Sequence, residues 1–137
     1  MDVTFPYEYE GKNLFGSVFR PVAKVTFYSP KININSDVWL VVDTGADFTI
    51  LPKYVAADLS IDIKKDCIAD KTVGVGGNQK IYLLKNKIHV KIGGFDKNIP
   101  VAFFDSNETP ALLGRQGFLE TFRAEFLPSH NVVFKLT

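Results

Sequence analysis

Val38-Trp39-Leu40-Val41-Val42-Asp43-Thr44-Gly45-Ala46-Asp47-Phe48-Thr49-Ile50-Leu51 is the stretch that decides the fold. Five apolar residues run straight into an acid, a hydroxyl and a glycine, and a second apolar group follows. The pattern predicts a buried strand entering a sharp turn, where Gly45 tolerates unusual backbone angles and Thr44 offers a hydroxyl for local bonds. Asp43 would then be held rigidly at a strand end while still facing a cleft. The competing reading is an ordinary turn acid, since all three residue types are common in turns.

Two segments further along shift that balance. Val73-Gly74-Val75-Gly76-Gly77-Asn78-Gln79-Lys80 is rich in glycine, is followed by strand-forming residues, and reads as the tip of a mobile hairpin. Ala111-Leu112-Leu113-Gly114-Arg115 is an apolar run ending in Gly-Arg, with a short helical pattern after it. In this order the three segments resemble the retropepsins, single-domain aspartic proteases of the retroviral type, whose Asp-Thr-Gly-Ala loop, Gly-rich flap and apolar-apolar-Gly-Arg segment they match across residues 38–119. Residues 117–126 look more like cellular, prokaryote-type members than viral ones.

The resemblance implies an all-β fold, a closed β-barrel with one or two short helices, occupying residues 1–137 as one domain. It also implies an aspartic endopeptidase with Asp43 as the catalytic acid. Carboxylate-driven peptide hydrolysis needs two such groups, one acting as base on a water and the other donating a proton to the carbonyl oxygen. The chain carries one Asp-Thr-Gly, and Asp105-Ser106-Asn107 lacks the glycine. Two copies would therefore pair about a two-fold axis, their Asp43 residues sharing one proton. By position, Thr44 resembles the threonine that braces the two loops, Gly45 and Ala46 complete the loop, and Asp47 and Arg115 resemble a paired acid and arginine. Asp47 would also meet substrate backbone. Gly74, Val75, Gly76 and Gly77 would form the flap over the substrate, and Leu112, Leu113 and Gly114 would support the loop structurally. Each has a plainer alternative: a local turn hydroxyl, two unrelated surface charges, or a common hairpin turn.

Composition sets bounds of its own. The 137 residues, 46% of them hydrophobic, suffice for one compact domain with its own core. Sixteen Lys+Arg against 15 Asp+Glu, a net charge of +1, give no electrostatic footprint for nucleic acid or an anionic membrane. Cys67 is the single cysteine, so no internal disulfide forms. The first ten residues carry acids and a proline where a signal peptide needs a basic start and an apolar core, and no apolar run reaches membrane-span length. A cytoplasmic homodimer acting on peptide or protein substrates is the expectation, with no cofactor and no metal.

Short strands dominate the rest. They are expected over 18–28 with Pro21 at an edge or bulge, over 81–92, and over 99–104. A closing hairpin is expected around Pro128-Ser129-His130-Asn131. Residues 33–37 read as a loop, 52–59 as a proline-started helix, and 115–122 as a second short helix. His89 lies in an alternating strand and His130 in a turn, with no ligand spacing around either. Lys64 and Lys65 beside Cys67 could lower its pKa, yet no histidine is placed to make it a nucleophile. The 12 phenylalanines are expected in the core and dimer interface. A non-catalytic dimer that holds peptide is the rival function. A small-ligand barrel, with Asp43 as a plain turn acid, is the third.

Overall fold

The computed structural model describes residues 2–74 and 77–135. Its central feature is a nine-stranded sheet in the order β10-β9-β4-β5-β12-β6-β11-β8-β7. The strands are β4 (Val22–Tyr28), β5 (Asn35–Val42), β6 (Thr49–Leu51), β7 (Cys67–Gly74), β8 (Gly77–Leu84), β9 (Ile88–Ile92), β10 (Phe95–Ile99), β11 (Val101–Phe104) and β12 (Leu112–Leu113). A second sheet, ordered β1-β14-β13, joins β1 (Asp2–Pro6) to a hairpin of β13 (Arg123–Leu127) and β14 (Asn131–Lys135). Among the described residues, strands β2 (Glu8–Asn13) and β3 (Gly16–Arg20) pair only with each other.

The sheet is not the closed barrel expected from the sequence, because β7 and β10 end it as unpaired edges. Side-chain packing from the second sheet does the closing instead. Val132 and Phe134 of β14 are fully buried in the main core, beside Phe27, Leu40, Val90, Ile92, Phe103, Leu113 and Phe118. An edge-to-face chain of rings runs from Phe95 through Phe122 and Phe134 to Phe5 and Trp39, linking the two sheets.

Alternation explains why these segments are strands. Ile88, Val90 and Ile92 face the core while His89 and Lys91 face out. In β5, Val38, Leu40 and Val42 are buried and Asp37 and Trp39 are exposed, which fixes the register that delivers Asp43. The expected loop at 33–37 is partly strand, since Asn35 already pairs with Tyr28. The expected strand at 99–104 divides at Pro100, which has no N–H for a ladder. That at 81–92 divides at residues 85–87, where the Lys85 N–H bonds to the Asp66 carbonyl at 3.0 Å.

Helix is scarce. Helix α1 (Lys53–Asp58) follows Pro52 as expected, and its Tyr54 N–H is satisfied by the Asn107 side chain at 2.8 Å. Helix α2 (Ile63–Asp66) is capped by Asp62, which accepts from the Lys64 and Lys65 N–H groups. The helix expected at 115–122 is instead a series of turns ending in a 3-10 turn, Leu119–Thr121. Gly117 breaks it, with φ at +70° and a position so close to Pro100 that a Cβ would lie 2.4 Å from the proline Cδ.

Candidate active site

Asp43 leaves the end of β5 where three segments meet. Its N–H donates to the Leu113 carbonyl at 3.0 Å, continuing the parallel pairing of β5 with β12 through the turn. Its carbonyl accepts from the Ala46 N–H at 3.2 Å, and its Oδ1 accepts from the Gly45 N–H at 2.9 Å. These bonds fix the half-buried carboxylate from within its own turn. A Cβ at Gly45 would stand 3.2 Å from that Oδ1, so glycine gives the carboxylate its room.

The Gly114-Arg115 segment supports the turn from below. Arg115 N–H donates to the Ala46 carbonyl at 3.0 Å, Gln116 N–H to the Asp47 carbonyl at 2.7 Å, and the Arg115 guanidinium to Asp47 Oδ1 at 2.5 Å. Both side chains of that ion pair are exposed, so its role is to orient Asp47 more than to stabilise the fold. Gly114 passes directly beneath Phe48, where a Cβ would fall 2.2 Å from both the carbonyl carbon and oxygen. Its N–H donates to the hydroxyl of Thr49 at 3.2 Å, and Thr49 is fully buried. Thr49→Val should therefore cost about 1–3 kcal/mol by leaving a buried donor unpaired. Denaturant unfolding of the variant checks this; an unchanged midpoint would show the bond to be dispensable.

Asp43, Gly45, Ala46 and Asp47 line a cleft of about 370 Å³ together with Phe48, Ile50, Thr72, Gln79, Phe104, Thr109 and Leu112. Phe48, Ile50, Phe104 and Leu112 form an apolar cluster of their own around this wall. Thr72 and Gln79 face each other across the β7–β8 hairpin, and Gln79 Nε2 donates to Thr109 Oγ1 at 3.3 Å, spanning the cleft rim. Gly74 pairs with Gly77 toward the hairpin end. Val75 and Gly76, also expected there, lie outside the described residues.

The residues picked out from the sequence thus separate. Thr44 is exposed on the turn and does not line the cleft. Leu113 is buried core, and Arg115 reaches the cleft through Asp47. Leu112, expected to be purely structural, is half-buried and forms cleft wall. Phe48, Ile50, Thr72, Gln79, Phe104 and Thr109 went unnoticed. Alternation past Asp43 could have found Phe48 and Ile50, and folding the hairpin at its glycines could have paired Thr72 with Gln79. Nothing in the sequence pointed to Thr109.

The remaining titratable groups lie elsewhere. Cys67 is free and buried, and burial pushes its thiol up, with Asp66 and Asp62 adding to the effect. This reverses the lowering expected from its neighbouring lysines. His89 bonds Asp96 at 2.9 Å and stacks on Tyr28, and His130 stacks on Phe19. Among the described residues no three His, Cys, Asp or Glu side chains are grouped to hold a metal, and no helix is long and apolar enough to cross a membrane.

A family model described as aspartyl protease matches residues 29–116. No curated protein matches the chain by sequence. Among solved structures, a retropepsin-like aspartic protease from Rickettsia conorii resembles it with a TM-score of 0.63 over 97% of this chain and 98% of that one, at 20% identity. That likeness is one of fold.

Proposed function

This chain belongs to the aspartyl protease family, and we propose that it works as a homodimeric endopeptidase whose catalytic dyad is Asp43 from each of two subunits. The observation that carries the proposal is the pair of acids on the cleft. Asp43 is positioned by its own turn, whereas Asp47 is bonded to Arg115 and is committed there. The second carboxylate must then come from a second chain.

Two Asp43 groups meeting across a two-fold axis share one proton. The ionised one takes a proton from a water as its oxygen attacks the scissile carbonyl, and the protonated one gives its proton to the carbonyl oxygen. The C–N bond of the resulting gem-diol then breaks as the newly protonated Asp43 gives its proton to the leaving nitrogen and the other Asp43 takes one from a diol hydroxyl, which restores a dyad sharing one proton. Neither metal nor covalent intermediate is needed. In this reading Thr44 braces the two turns across the axis, and the β7–β8 hairpin, with Gly74 and Gly77, is the flap that closes over the peptide. Phe48, Ile50, Phe104 and Leu112 favour apolar side chains beside the cleaved bond. The 137 residues act as one domain, and the free Cys67 suits a cytoplasmic setting.

Digestion of a diverse peptide library from mildly acidic to neutral pH is the test. Cleavage is expected between apolar residues, with activity per mole falling on dilution as the dimer dissociates. An absence of cleavage at concentrations where sedimentation shows a dimer would leave a peptide-holding module instead.

A further inference from the structure

The hairpin of β2 and β3 stands apart from both sheets. Its strands of six and five residues are on the order of 17–20 Å long and mostly exposed. At its tip Leu14 and Phe15 are 95% and 94% exposed, the highest of any large hydrophobic residues among those described. Its base is fixed: Tyr9 packs on Phe19, Phe19 stacks on His130 at 4.2 Å, and Tyr7 packs on the same imidazole. An isolated two-stranded hairpin is marginal in water, and an apolar tip at its far end has no reason to be left uncovered.

The position of the base identifies the cover. Pro21, directly after the hairpin, accepts a hydrogen bond from the N–H of Val42 at 2.9 Å, one residue before Asp43. The arm therefore springs from the edge where Asp43 must meet its counterpart. The chain ends are not free to build that interface by exchange, because Asp2 pairs with Lys135 within one chain and β14 is enclosed by β1 and β13. The Asp43 turn alone is far smaller than the roughly 1,200–2,000 Å² a stable dimer buries. Two arms related by symmetry, each with a Phe and a Leu at its tip, add on the order of 600 Å².

We propose that the β2–β3 hairpin is a dimer clasp that lies across a second copy of the chain and buries Leu14 and Phe15 against it. The clasp rests on the paired-Asp43 reading and adds what holds that pair together. Phe15 is replaced by a photoreactive benzoyl-phenylalanine in a mixture of isotope-labelled and unlabelled chains, and Leu14→Ser/Phe15→Ser is compared with wild type by sedimentation. Light should join labelled to unlabelled chain through residue 15. The double variant should raise the dimer dissociation constant by about 100-fold or more, with activity per dimer returning at high concentration. Crosslinks confined to one chain, crosslinks to an added peptide substrate, or unchanged dimerisation of the double variant would each overturn the clasp while leaving the protease reading intact. A wild-type protein that cleaves peptides as a monomer would overturn both.

Discussion

Asp43→Asn is expected to lower peptide cleavage on the order of 10⁴-fold while leaving the fold intact. Asparagine has the shape of aspartate and keeps an oxygen for the Gly45 N–H, so the turn held by Leu113 and Ala46 has no reason to move. What disappears is the exchangeable proton and the charge that takes one from water. Mixing the variant with wild type separates a shared dyad from two independent sites. With equal amounts and free exchange, about a quarter of the dimers carry two aspartates, and activity should fall to that fraction. Activity that falls only to half would mean each chain works alone. Full activity in the pure variant would make Asp43 a turn acid after all.

The candidate site was legible in the sequence where chemistry and backbone demand coincide. Asp43, Gly45 and Gly114 are short-range requirements: an acid ending a buried strand, a glycine beside its carboxylate, and a glycine under a neighbouring carbonyl. What was not legible depends on which segments come together. Thr109 reaches the cleft rim through Gln79, 30 residues earlier, and no local pattern encodes that meeting. Phe104 and Leu112 read as core residues because they are apolar, and burial and cleft-lining look alike in sequence. The same limit applies to the fold. The apolar run of β5 and the alternation in β9 placed strands correctly, but nothing along the chain told whether the last ladder would close. It does not close, because β1, β13 and β14 cover the core with side chains instead of completing the hydrogen-bonded circuit. The helix expected after Arg115 failed for a comparable reason. Gly117 faces Pro100, and that contact across the fold outweighed a local helical pattern.

Gly114→Ala should be the most damaging alanine substitution among the described glycines, because there alone a Cβ would run into backbone atoms. One methyl group would have to occupy a point 2.2 Å from the carbonyl carbon and oxygen of Phe48 and 2.7 Å from its Cα. Those are backbone atoms, so no rotamer change can relieve the clash. Either the Gly114 strand end or the Phe48 segment must move, and each move breaks something. Shifting Gly114 pulls its N–H from the buried Thr49 hydroxyl and drags Arg115 from the Ala46 carbonyl. Shifting Phe48 displaces the cleft wall next to Asp47. Overpacking of this kind costs about 3 kcal/mol or more, which lowers Tm by about 10 °C in a domain of this size. Gly11→Ala is the instructive control. Gly11 has φ at +107° but open space around it, so the variant bears backbone strain without a clash. Thermal unfolding of the two proteins should show a much larger loss for Gly114→Ala. Its residual activity should fall further than its folded fraction, since the strand that carries Asp43 is bonded to the residue next to the substitution. Gly114 has no positive φ, so equal loss of stability in both variants would mean that the chain relieves the close approach beneath the Asp43 turn by a small backbone shift, and that this approach does not require glycine at position 114.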